Sequence, residues 1–292
     1  MFAGLILIAA ATSLPELAVS VSAAKLQLPD LATGGLFGSN LMNLLILGLI
    51  DFFIRSKGRL LSRASAAHAV SGCMSIGLMA ILAGAIIYKP QNTWLGAGYV
   101  SFFVLIIYLL GIRIVYYDQI FCLKIKPNAF HPRPLKIRPS KALLGYLTCA
   151  GAILVTAPYL ASSCGKLIHH FGFSETFIGT SLVALITSLP ELITTIAALR
   201  LGSSEMAVGN VFGSNSFNMA IIGISDFFFE GALLTKVSVS HVLTALCGIF
   251  ITITVLIGQL YHSEKRIAFI EPDAAIVIIL VIASLGLIYN IG

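Results

Sequence analysis

Two glutamates, Glu16 and Glu191, stand in sequence that is otherwise almost continuously apolar. Each lies in the same hexapeptide, Thr-Ser-Leu-Pro-Glu-Leu, at 12–17 and again at 187–192. Each is followed by Gly-Ser-Asn-x-x-Asn, at 38–43 and at 213–218. Around the carboxylates the motifs therefore gather Thr12, Ser13, Ser39 and Asn43 in one copy and Thr187, Ser188, Ser214 and Asn218 in the other. All of these offer oxygen, and no thiolate or imidazole belongs to the motifs. Hard cations want such a shell, and Ca2+ takes about 6–8 oxygens. Two negative charges balance one Ca2+; they also draw in two or three Na+, or two protons. A single set of ligands that cannot serve both ions at once is the physical basis of exchange.

The motifs sit in a longer repeat. Residues 2–53 align without a gap on 177–228, and 24 of the 52 pairs are identical, the kind of self-similarity that governs a whole fold. Pro15 and Pro190 lack the N–H a helix interior needs, so each motif helix must kink or restart. Ser13-Leu14-Pro15-Glu16 reads as a capping box with Ser13 as N-cap. The half-helices ending near Ala9 to Thr12 and Ala184 to Thr187 are expected to present unpaired carbonyls as further ligands. Gly34, Gly35 and Gly38 suit close helix approach. Ser39 and Asn43, four apart, share a helical face.

At 58% apolar and 10% charged, the chain departs from soluble domains, where charged residues make up about 25%. Nine runs are long enough to cross a bilayer: 2–24, 31–54, 66–88, 93–115, 142–165, 172–199, 205–229, 237–259 and 274–290. The expectation is an all-α, multi-pass membrane protein of a cell (plasma or inner) membrane, with no soluble domain. The first run has no basic segment before it and carries Glu16, so it reads as mature sequence rather than a leader. The five cysteines are scattered, without a disulfide or zinc pattern. His169-His170 is a weak metal candidate, and His68 reads as a solvated histidine. Asp51 and Asp226 fall at helix ends and read as structural, snorkelling to the interface.

The net charge of +6 does not point to nucleic acid, because it is distributed by loop. Segments 55–65, 113–141, 200–204 and 260–273 hold 14 of the 18 Lys and Arg, which marks them as cytoplasmic. The two motif helices then cross in opposite directions. That is an inverted-topology repeat, the mark of a transporter with its site at the midplane. An ionisable group at that depth costs at least ~2.5–3.5 kcal/mol, so the glutamates face protein or water. The halves are taken as 1–115 (motif 2–53) and 142–292 (motif 177–228), joined by a basic loop, 116–141. An intramembrane protease would need an Asp pair or a Ser beside a Lys or His, and neither stands at matched depth. A channel needs no inverted halves, and no nucleotide motif supports an ATPase. The chain is thus not expected to be an enzyme or to carry a cofactor.

The doubled Thr-Ser-Leu-Pro-Glu-Leu and Gly-Ser-Asn-x-x-Asn resemble the α-repeats of the Ca2+:cation antiporter superfamily, particularly the sodium/calcium exchangers. The resemblance implies ten helices as five plus five, with ions bound between helices two, three, seven and eight. It implies Glu16 and Glu191 as central ligands, completed by Thr12, Ser13, Ser39, Asn43, Thr187, Ser188, Ser214 and Asn218, with backbone carbonyls near Ala9 and Ala184. The implied cargo is Ca2+ against Na+, with Ca2+/H+ exchange, or a cation-binding relative that does not transport, as alternatives. Many members have aspartate where this chain has Asn218. The asparagine kept as Asn210 is lost in the first copy, at Gly35.

Helix 142–165 precedes the second motif helix, and nothing precedes the first. The expectation is nine spans instead of ten, with the flank of the first motif helix uncovered. Either sequence upstream of Met1 supplies the tenth helix, which is preferred, or another subunit covers that face.

Overall fold

A computed structural model of the chain describes residues 9, 11–53, 68–125, 139–261 and 272–291. In chain order the helices are α1 (Leu14–Lys25), α2 (Pro29–Phe53), α3 (Ala69–Tyr88), α4 (Tyr99–Ile125) and α5 (Pro139–Phe171). The second half continues with α6 (Glu175–Ile178), a π-helical turn (Gly179–Val183), α7 (Ala184–Thr187), α8 (Leu189–Arg200) and α9 (Ser204–Asp226). It ends with the short α10 (Leu233–Lys236), then α11 (Ser240–Tyr261) and α12 (Pro272–Ile291). A two-residue hairpin, β1 (Thr93–Trp94) and β2 (Ala97–Gly98), joins α3 to α4.

Among the described residues, seven helical segments are long and apolar enough to span a membrane, against the nine runs expected. The first run lies partly outside the described residues. The run 205–229 is there as α9, but Asn210, Ser214, Asn215, Ser216, Asn218 and Asp226, all buried, lower its hydropathy. That helix faces protein on nearly every side and needs no lipid-compatible surface. The expected loop 116–141 is shorter than thought. α4 continues to Ile125, giving a helix roughly 40 Å long, and α5 begins at Pro139; residues 126–138 lie outside the described residues.

α1, α2, α8 and α9 pack on one another at the centre. Glycine sets how closely they meet. A Cβ on Gly38 would overlap the Thr180 carbonyl oxygen and lie 2.7 Å from Ala184 Cβ. At its repeat mate Gly213, a Cβ would lie 3.1 Å from Ala9 Cβ. Backbone cannot give way as a side chain can. Gly38→Ala is therefore expected to destabilise the fold by about 2 kcal/mol, read as a lower Tm in detergent. An unchanged Tm would mean the two motif segments have slack at this crossing.

The packing of α5 corrects one expectation. It lies against α1, with Gly165 beside Leu28, and none of residues 11–24 is exposed. The uncovered flank is on the second motif segment, where Leu185, Leu189 and Ile193 are 53%, 47% and 66% exposed. Inverted halves cross over, so the helix that precedes one motif in sequence covers the other motif in space. Two polar residues also differ from expectation. His68 is buried rather than solvated, set against Gly209. Asp226 is 1% exposed and does not snorkel. It accepts from the Gly98 N–H (2.7 Å), the Ser101 hydroxyl (2.5 Å) and the Leu233 N–H (2.6 Å). The side chain of Asp51 lies outside the described residues.

Candidate functional site

The proline breaks are single-residue interruptions. Ser13 and Ser188 occupy the N-cap positions of α1 and α8, with proline in the first turn, but neither hydroxyl caps its helix. Ser13 Oγ instead crosses to the other repeat and donates to Glu191 Oε1 at 3.0 Å. The Ala9 carbonyl accepts from the Ser13 N–H and the Thr12 hydroxyl. Ala184 accepts likewise from the Ser188 N–H (3.0 Å) and the Thr187 hydroxyl (3.4 Å). These carbonyls are thus not unpaired as expected. The oxygens that proline deprives of a helical donor lie four residues before it, at Ala11 and Ile186.

The sequence-predicted side chains converge at the centre. Thr12, Ser13, Glu16, Ser39, Asn43, Thr187, Ser188, Glu191, Ser214 and Asn218 are all buried. Glu191 Oε1 also accepts from Ser214 Oγ at 3.3 Å. Ser39 and Thr187 pair hydroxyl to hydroxyl at 3.2 Å, and their repeat mates Ser214 and Thr12 do so at 3.5 Å. Ser13, three residues before Glu16, bonds to Glu191, so both carboxylates belong to one buried cluster. Ser39 and Thr187 also stand near Glu16, but their hydroxyls are turned to each other, and Thr187 donates to Val183 O. Both Glu16 oxygens consequently accept no hydrogen bond among the described residues.

Asn40 and Asn215, the asparagine of each Gly-Ser-Asn, are not among the expected ligands, and they tie the repeats together. Asn40 Nδ2 donates to the Asn215 carbonyl (3.2 Å) and Asn215 Nδ2 to the Asn40 carbonyl (3.4 Å). Asn43 Nδ2 donates to Asn215 Oδ1 (2.9 Å), and Asn218 Nδ2 to Asn40 Oδ1 (3.0 Å). This amide quartet obeys the two-fold relation and turns the free oxygens of Asn43 and Asn218 away from it. Six buried oxygens in the motifs have no hydrogen-bond partner among the described residues: both of Glu16, Glu191 Oε2, Asn43 Oδ1, Asn218 Oδ1 and Ser188 Oγ. Buried polar atoms are rarely left so. Two buried carboxylates without a cation carry a desolvation cost of several kcal/mol each. No cationic side chain hydrogen-bonds to either among the described residues. No group of three His, Cys, Asp or Glu capable of holding a metal occurs among them, His169-His170 included. A site here must rely on hydroxyl and amide oxygens beside two carboxylates, as hard, exchangeable cations accept.

The profile of the family described as sodium/calcium exchanger protein matches residues 1–112 and 141–289. The chain belongs to this family. It is 31% identical over 227 residues to the inner membrane protein YrbG of Escherichia coli. That match covers 75% of this chain and 66% of YrbG, just under two thirds of its length. It is 44% identical over 84 residues to the sodium/calcium exchanger MaX1 of Methanosarcina acetivorans, covering 28% of this chain and 24% of that protein. Its fold resembles that of the sodium-calcium exchanger NCX_Mj soaked with 100 mM Na+ and 10 mM Sr2+. The TM-score is 0.59 at 18% identity, over 98% of this chain and 86% of the other. The chain is a multi-pass membrane protein with the two-repeat exchanger fold.

Proposed function

We propose that the protein is an antiporter exchanging Ca2+ for Na+ by alternating access, with Glu16 and Glu191 as the charged ligands of a mid-membrane site. The observation that carries this reading is the pair of buried carboxylates with, among the described residues, three unpartnered oxygens between them and no cationic side chain bonded to either. Thr12, Ser13, Ser39, Asn43, Thr187, Ser188, Ser214 and Asn218 complete the shell, with the Ala9 and Ala184 carbonyls joining as the threonines turn. The halves 1–115 and 142–292, linked through 116–141, each bring one carboxylate to the site, and access alternates around that shared centre. A cation neutralises both carboxylates; once it leaves to one side, their repulsion must be relieved by the counter-ion before access can switch back.

Asparagine at both 43 and 218 favours keeping proton coupling as a second reading, since the site then holds two negative charges and no third. Purified protein in liposomes, given first an imposed Na+ gradient and then an imposed proton gradient, separates the two. Uptake of 45Ca2+ should follow the Na+ gradient. Uptake indifferent to Na+ and driven by the pH difference would replace Na+ with H+ as the counter-ion. On the same reading, Asn218→Asp adds a negative charge and should lower the Na+ concentration for half-maximal exchange by about tenfold, a gain of ~1.4 kcal/mol. The aspartate cannot donate to Asn40 Oδ1 as Asn218 does, so Asn40 must turn its amide over. No change in Na+ dependence would count against Asn218 as a ligand.

A further inference from the structure

The two repeats are not equivalent around their glutamates. Beside Glu191, Asn210 Nδ2 donates to Thr194 Oγ1 (3.1 Å) and reaches Thr195 Oγ1 (3.5 Å), while its Oδ1 meets the Thr12 hydroxyl (3.5 Å). Thr12 is in turn 3.5 Å from Ser214 Oγ, which donates to Glu191. A continuous polar chain thus holds that carboxylate, with Ser13 on its other side.

The residues 175 positions earlier are Glu16, Val19, Ser20 and Gly35. Here the asparagine side chain is missing, one threonine has become valine, and Ser20 bonds to the Ala32 carbonyl (3.0 Å) and Ser225 (2.8 Å). The same four residues, with Thr187, line a cavity with room for about one water molecule. Glu16, 3% exposed, lies on its wall with neither carboxylate oxygen partnered among the described residues.

We propose that the Gly35 gap is a hydration site for Glu16. One water donates one O–H to the carboxylate and the other to the hydroxyl oxygen of Ser20 or Thr187, whose own hydrogens go to the Ala32 and Val183 carbonyls; two such partners are enough for a buried water. It lets Glu16 turn between cargo and water without losing a hydrogen bond, whereas Glu191 is fixed by Ser13 and Ser214. Repeat one then supplies the adaptable ligand and repeat two the rigid one. The inference rests on Glu16 being a cargo ligand; the hydration itself does not depend on that.

X-ray radiolytic footprinting of the full chain, read by mass spectrometry, tests it, because a bound water generates hydroxyl radicals beside its neighbours. Leu31 and Leu36, each 1% exposed, line the gap, while Leu41 and Leu44 are equally buried in the apolar core away from it. Leu31 and Leu36 should oxidise faster than Leu41 and Leu44, and Gly35→Asn should abolish the difference. A Cβ at 35 would sit 3.1 Å from Val183 Cγ1, so Gly35→Asn/Val183→Ala provides a roomier version should the single variant fold poorly. Equal oxidation of the four leucines in the wild type would overturn the proposal. Pinning Glu16 with an amide should also slow Ca2+ uptake about tenfold; undiminished uptake in a variant whose footprint is lost would remove the water's role in exchange. Wild-type protein with the footprint but no Na+-driven Ca2+ uptake would sink the exchange reading and leave the hydration site standing.

Discussion

Glu16→Gln and Glu191→Gln should each abolish Ca2+ transport in a protein that still folds. Each substitution removes one of the two charges that neutralise the cargo, while size and shape are kept. Even two unit charges about 4 Å apart interact by roughly 4 kcal/mol at an effective dielectric of 20, a factor of about a thousand in affinity, and Ca2+ carries two charges. No described cationic or anionic side chain is hydrogen-bonded in place to make up the loss. Folding should not suffer, because the wild type buries two mutually repelling carboxylates and each variant buries only one. The check is 45Ca2+ flux beside thermal stability in detergent. Wild-type flux in both variants would remove the glutamates from the site. Loss of flux accompanied by aggregation would reassign them to structure.

Asp226→Ala should lower stability by about 3 kcal/mol without touching the site. Its carboxylate collects two backbone N–H groups and one hydroxyl from three different places: the hairpin, the start of α4 and the start of α10. Removing it leaves the Gly98 and Leu233 N–H groups buried without their acceptor, at ~1–3 kcal/mol each. A Tm lower by roughly 5–10 °C is expected for a chain of this size. Ca2+ binding at temperatures below the transition should match the wild type. An unaltered Tm would show that water or another acceptor replaces the clamp.

The central arrangement was legible because the repeats differ in direction but share sequence. An identical glutamate in each copy, at matched depth in opposite crossings, has to meet its mate at the two-fold axis, and both do lie buried there. What stayed hidden involves partners that local periodicity does not report. Asn40 and Asn215 were visible as repeated residues, yet their bonds join positions 172 to 178 apart. The Ser13 hydroxyl had a good local use as a cap, and a distant carboxylate took it instead. The π-helical turn at Gly179–Val183, which lies against Gly38, carries no residue pattern that announces it. The covering of α1 by α5 depends on how the halves cross, which hydropathy does not report. Gly35 was noticed as a departure from the repeat; that it opens a cavity beside Glu16 follows only from seeing what Asn210 fills.

Equilibrium Ca2+ binding to the purified protein, titrated with Na+, tests the central claim most directly. The account predicts that Na+ displaces Ca2+, with more than one Na+ for each Ca2+ released, and that the double variant Glu16→Gln/Glu191→Gln binds no Ca2+ over the same range. Ca2+ binding that persists in the double variant, or that Na+ leaves untouched, would contradict it.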